Sequence, residues 1–83
     1  MGEKPIGRVE HFYNKISVAI IELSAPLTVG DTIKFRKGEE EFEQTVDSMQ
    51  IEHEQIKAAK KGQAIGLKTV QPVQEGMEVL KVG

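Results

Sequence analysis

The apolar residues of this chain fall into six short runs that are separated by turn-forming residues such as Gly, Asn and Asp. Runs of this length and punctuation predict β-strands. The predicted strands cover residues 6–13, 17–23, 32–36, 42–51, 64–69 and 78–82. The chain contains 8 Val and 8 Ile but only 4 Leu, and β-branched side chains favour strands over helices. The pattern therefore predicts an all-β protein.

Six short strands in an open sheet would leave two unpaired edges, and closure into a barrel removes both. We therefore predict a small closed six-stranded β-barrel that forms a single domain over residues 1–83, with an ordered core over about residues 5–82. Residues 56–60 are predicted to form one helical turn that caps an end of the barrel, because a single turn cannot stand alone as a helix.

Alternation along the predicted strands selects the side chains that point inward. The predicted core consists of Val9, Ile21, Leu23, Ile33, Phe35, Val46, Met49, Ile51, Ile65, Leu67 and Val79. The second strand departs from simple alternation, since residues 18–21 are apolar at every position. A strand with one solvated face should alternate, so this outer face is covered either by the termini of the chain or by a partner.

Composition limits the classes of protein that this chain can represent. It has 83 residues, 39% hydrophobic and 29% charged, a net charge of −2 and no cysteine. These values exclude a disulfide-stapled secreted protein and a strongly basic nucleic-acid binder. No apolar run approaches the ~20 residues that span a bilayer, and residues 1–5 lack a signal-peptide core. We expect a cytoplasmic protein that does not contact membranes.

Motifs for catalysis or cofactor binding are missing from the sequence. There is no phosphate-binding glycine motif, so no nucleotide is expected, and no serine lies in a nucleophile elbow. The histidines, His11 and His53, have glutamates as neighbours in sequence, but neighbours along a strand point to opposite faces. The sequence therefore predicts a protein that is not an enzyme and that has no catalytic residues, metal or cofactor.

Basic residues are the candidates for contact with a partner. Three lysines cluster before the fifth predicted strand, and two further basic residues lie on or beside the first strand. The candidate contact residues are Lys57, Lys60, Lys61, Arg8 and Lys15. They form either a solvated surface or a weak electrostatic contact with RNA, because few aromatic rings are available to stack on bases.

Several segments together resemble the β-barrel second domain of translation elongation factors of the Tu type. The glycine turns carry much of the resemblance, namely Val29-Gly30-Asp31, the stretch from Ala59 through Gly62 to Gly66-Leu67, and Glu75-Gly76-Met77. The match extends over nearly the whole chain. It implies a translation factor-like barrel without a GTPase, a non-enzymatic binding module that contacts the ribosome, tRNA or other RNA, or a protein partner.

The aminoacyl-end pocket of that family would fall on Gln50, Glu52, His53 and Ala64, and none of these keeps the residue of the family. The resemblance therefore does not imply transport of aminoacyl-tRNA. Similar barrels are also appended to larger proteins, including some U32-family peptidases. The alternative is thus an accessory or docking domain for a larger enzyme such as a U32-type peptidase.

Overall fold

The computed structural model describes residues 2–52 and 54–82. This part of the chain forms ten strands that are joined by turns and loops. The strands are β1 (Glu3–Tyr13), β2 (Val18–Leu23), β3 (Leu27–Thr28), β4 (Thr32–Lys37), β5 (Glu40–Thr45), β6 (Met49–Ile51), β7 (Glu54–Ile56), β8 (Ala58–Ala59), β9 (Ala64–Lys68) and β10 (Glu78–Val82). The prediction of an all-β protein is confirmed.

Eight of these strands form one antiparallel sheet in the order β5-β4-β10-β1-β2-β9-β6-β7. Strands β3 and β8 form a separate two-stranded ribbon, in which Leu27 lies opposite Ala59. Both residues are buried, so the ribbon covers part of the core.

Strand β1 bends the sheet around its core. Its register shifts twice, between Pro5 and Gly7 against β10 and between Val9 and His11 against β2. Bulges of this kind bend a strand and increase its twist. Gly7 lies between the two shifts, and a Cβ atom there would approach the carbonyl oxygen of Glu22 to 2.6 Å. The absence of a side chain at Gly7 is therefore what lets β1 and β2 pack together.

The predicted core is largely confirmed. Ten of its eleven members are buried, and Ile51 is half-buried against the core. Phe35 stacks on Phe42 with the ring centres 5.1 Å apart. The sequence pattern missed Leu27, Val73 and Met77, which are buried but lie in a two-residue strand or in a loop, where no alternation marks them.

The prediction of a closed six-stranded barrel is wrong. Each of β5 and β7 pairs with one neighbour among the described residues, so the sheet is open. The predicted strand over 42–51 divides because the backbone of Val46 pairs with Gly30 and Asp31 of the preceding turn. The chain then joins the same sheet again as β6, which pairs with β9 near the opposite edge from β5. The predicted helical turn over 56–60 is also wrong, since β7 and β8 occupy that segment.

A side chain connects the edge strand β5 to the end of β9, a strand that is not its neighbour in the sheet. The Gln44 side chain on β5 donates from Nε2 to the carbonyl oxygen of Lys68 at 2.9 Å. Its Oε1 accepts from the backbone N–H of Val70 at 3.0 Å. Gln44 is 7% exposed, so both ends of a nearly buried amide are satisfied. We call this pair of contacts the Gln44 bridge.

Removal of the Gln44 bridge should destabilise the fold. We expect Gln44→Leu, which has a similar volume, to lower the free energy of unfolding by about 1–3 kcal/mol, because two hydrogen bonds are lost at a nearly buried position. Urea denaturation measures this change. The matched control is Gln74→Leu at an exposed position, for which we expect little change. Equal unfolding midpoints for the two variants would show that the bridge does not stabilise the fold.

Candidate functional site

The outer face of β2, β9 and β6 carries a depression that we call the trough. It consists of two adjoining cavities of about 400 and 280 Å³, which share Ile16, Val18, Gln50 and Gly66. The trough is lined by Tyr13, Ile16, Val18, Ile20, Ser48, Met49, Gln50, Ile51, Glu52, Gln55, Ala64, Ile65, Gly66 and Lys68.

The trough explains why β2 is apolar on both faces. Ala19 and Ile21 point into the core and are buried, whereas Val18 and Ile20 are half-buried on the outer face. The described terminal segments do not line the trough. The start of β1 pairs with the end of β10, where Glu3 lies opposite Val82, at a different part of the sheet. The sequence left two possible covers for this outer face, the termini of the chain or a partner. Among the described residues, the termini do not cover it.

Gly66 forms the floor of the trough. It pairs with Ile20 on one side and with Gln50 on the other. The register with β2 is continuous at this position. A Cβ atom at this position would lie 3.2 Å from Cγ1 of Val18 and 3.3 Å from Cγ of Gln50. The lack of a side chain therefore keeps the trough open.

Two turns raise the lips of the trough. Ser17 and Glu52 both adopt left-handed backbone conformations, with φ of 55° and 52°. Such angles are uncommon for residues other than glycine. The first turn carries Ile16, which is 56% exposed, and the second carries Glu52 itself. These are the two non-glycine residues with positive φ among those described; Glu52 lines the trough, and Ser17 lies between Ile16 and Val18, which line it.

The charged side chains lie at opposite ends of the trough. Along β9 the outward residues are Ala64, Gly66 and Lys68, so one end is marked by Lys68. Glu52 lines the cavity that also contains Ala64. Glu22 lies beside Ala64, but it also lies opposite Arg8 on β1. The trough therefore has an apolar centre between an acidic end and a basic end.

Another part of the outer face, over β5, β4, β10 and β1, is satisfied by its own ion pairs. Lys34 hydrogen-bonds to Glu3 and lies within 4 Å of Glu41 and Glu43. The hydrogen bond between Lys34 and Glu3 lowers the pKa of Glu3 and raises the pKa of Lys34. Arg36 donates to Glu78 at 2.9 Å, and this contact raises the pKa of Arg36. Lys34 and Arg36 are thus neutralised within the domain.

The five predicted contact residues are exposed but do not form one patch. Lys60 and Lys61 lie beside the end of β2, where Gly62 and Gln63 bond to Leu23. Lys15 lies in the turn at the other end of β2, roughly 20 Å away at ~3.3 Å per residue. Arg8 faces two carboxylates across the sheet, those of Glu22 and Glu78. The structure therefore separates Arg8 and Lys15 from Lys60 and Lys61.

Three of the four positions of the family's aminoacyl-end pocket, Gln50, Glu52 and Ala64, do line the trough, and His53 lies outside the described residues. Over residues 2–52 and 54–82, no group of three or more His, Cys, Asp or Glu side chains is arranged to hold a metal ion. In the same residues, no helix is long and apolar enough to cross a membrane. Tyr13 and Ile16 were not predicted as site residues, although the apolar outer positions of β2 indicated this face.

Comparison with known proteins leads away from translation. A Methanocaldococcus jannaschii protein named as an uncharacterized protease is 48% identical to this chain over 75 residues. The match covers 89% of this chain but 18% of the protease, so the chain spans less than a fifth of that relative. No family model matches the chain.

Solved structures show the same fold. The C-terminal domain of a Geobacillus thermoleovorans protein named as a U32 peptidase has a TM-score of 0.89 and 20% identity, over 96% of this chain and 93% of that domain. Its selenomethionine variant has a TM-score of 0.86 at 20% identity, over 92% and 96%. Both comparisons lead to proteins named as peptidases.

The assignment to the elongation factor Tu type is therefore wrong, and so is the classification as a ribosome-binding translation factor. The motifs that suggested it are glycine turns, and Gly30, Gly62 and Gly76 do adopt the positive φ angles that tight turns require. Such residues encode the geometry of a turn and carry no information on function.

Weak contact with RNA through the lysine turn, defined as Lys57, Lys60 and Lys61, stays a prediction. We expect the double variant Lys60→Glu and Lys61→Glu nearly to abolish binding to bulk tRNA. The remaining binding should depend less on salt, because each lost phosphate contact removes about one unit from the slope of log K against log salt concentration. Filter binding at two salt concentrations measures this effect. The matched control is Lys4→Glu with Lys37→Glu, at exposed positions elsewhere. Equal tRNA binding by wild type and the lysine-turn variant would exclude this contact.

Proposed function

We propose that this chain is a non-catalytic accessory domain of a U32-type peptidase, which docks on the part of the enzyme that performs the chemistry. The observation that carries the proposal is the 48% identity to a protease that is confined to 18% of that protein's length. Similarity of this extent, restricted to a small segment, is expected of a module that is shared between proteins and that has its own core.

The fold and the surface agree with this proposal. The solved domains with which the chain superposes are themselves C-terminal portions of a peptidase. The trough offers a concave, mainly apolar surface that the described residues leave exposed. Contiguous apolar surface of this kind is typical of an interaction site.

Binding to the remainder of the related protease tests the proposal. The probe is the Methanocaldococcus jannaschii protease from which the 75 matching residues are deleted, here called the truncated protease. We expect this chain to bind it with one-to-one stoichiometry in titration calorimetry, because the deletion vacates the docking site. The control is the full-length protease, which should bind at least about tenfold more weakly because its own segment occupies the site.

A chimaera keeps the test decisive if the truncated protease does not remain folded. In the chimaera this chain replaces the matching 75 residues, and we expect a monodisperse protein whose inserted domain unfolds together with the rest. Absence of binding to a folded truncated protease would overturn the proposal. Equal binding to the truncated and the full-length protease would do the same, as would a chimaera in which the inserted domain unfolds independently.

A further inference from the structure

We propose that the trough is the surface that receives the peptidase, and that its occupant is an extended segment bearing a cationic, an apolar and an acidic side chain at alternate positions. The inference rests on the proposed function and adds which surface docks and what chemistry it recognises. The exposed large hydrophobic residues among those described are Tyr13, Ile16 and Val70, and the first two border the trough.

The dimensions of the trough set the length of the occupant. Its outward-facing rows run from Ala64 through Gly66 to Lys68 along β9. At ~3.3 Å per residue, these rows span roughly 13 Å. An extended segment presents every second side chain to one face. Five residues of the partner, with three side chains directed into the trough, therefore match this span.

The centre of the trough suits an aliphatic side chain. Val18 and Gln50 close over Gly66, where an added Cβ atom would lie 3.2 and 3.3 Å from them, and the half-buried Ile20 lies directly opposite Gly66. The amide of Gln50 borders the same space and can both donate and accept hydrogen bonds. An apolar side chain can thus pack on Val18 and Ile20 at the centre while the backbone of the segment bonds to Gln50.

The charges at the two ends set the order of the segment. Glu52 lines one end, which favours a cationic side chain, and Lys68 lines the other, which favours an acidic side chain. Among the described residues that line the cavity containing Ala64, Glu52 is the one with a charged side chain. The occupant is thus of the form Lys or Arg, any residue, Ile, Leu or Val, any residue, Asp or Glu.

This charge order distinguishes a protein segment from a nucleic acid. A uniformly anionic strand would meet the carboxylate of Glu52 at one end of the trough, an unfavourable pairing. The direction of the effect of charge reversal at the two ends therefore reports which kind of molecule binds.

The test measures binding of five variants, three in the trough and two controls, to the truncated protease by titration calorimetry, with the chain otherwise intact. We expect Ile16→Glu, Glu52→Lys and Lys68→Glu each to weaken binding about tenfold or more, the effect of losing one central interface side chain. Val70→Glu is the matched control for Ile16→Glu, because Val70 is 67% exposed outside the trough. A second control, Glu39→Lys, reverses a charge at the exposed tip between β4 and β5. Both controls should bind within about twofold of wild type.

The outcomes separate the two proposals. If the wild-type chain binds but all trough variants bind equally well, the trough assignment is overturned and the proposed function stands. If the wild-type chain does not bind, both fall. Stronger binding by Glu52→Lys would identify an anionic occupant and overturn the charge order. Dimerisation of the chain alone that is abolished by Ile16→Glu would identify a second copy as the occupant and overturn the inference. Unchanged urea midpoints of the exposed-site variants establish that they fold.

Discussion

A nearly buried amide ties the edge strand β5 to the end of β9, across strands that are not neighbours in the sheet. Gln44 on β5 bonds to the carbonyl oxygen of Lys68 and to the N–H of Val70. An edge strand normally exposes its unpaired backbone groups to solvent or to another chain. The sheet stays open yet encloses a core in which Phe35 and Ile33 are fully buried, and the Gln44 side chain adds a link between β5 and β9 that backbone pairing does not provide.

The trough depends on the same segment of chain. Between the two residues contacted by Gln44, Thr69 donates its backbone N–H to the carbonyl oxygen of Ser17 at 2.8 Å. This bond fixes the left-handed turn that carries Ile16 to the lip of the trough. The neighbouring Tyr13 ring packs edge-on against His11, which is itself bonded to Glu75. A contact network therefore supports the exposed apolar residues from behind and limits their freedom, which lowers the entropic cost of binding.

The sequence predicted the features that follow local rules and missed those that depend on long-range pairing. The strands over residues 17–23, 32–36, 64–69 and 78–82 appear within one residue of their predicted bounds, since alternation and glycine turns mark them directly. Closure was predicted from an argument about edges, and nothing in the pattern could reveal that Gln44 makes the connection. The apolar outer face of β2 was visible in residues 18–21, but its concave shape depends on Gly66 and on two left-handed turns. The family was mistaken because turn motifs are shared by unrelated functions.

The central claim is that a peptidase docks in the trough, and chemical shift mapping tests it most directly. The ¹⁵N-labelled chain, at 83 residues, is titrated with the unlabelled truncated protease, and the perturbed backbone amides are assigned. We predict that the largest changes cluster at Ile16, Val18, Gln50, Glu52 and Gly66, with little change at the β4–β5 tip around Gly38. Changes centred on that tip or on the lysine turn, with the trough amides unmoved, would contradict the account.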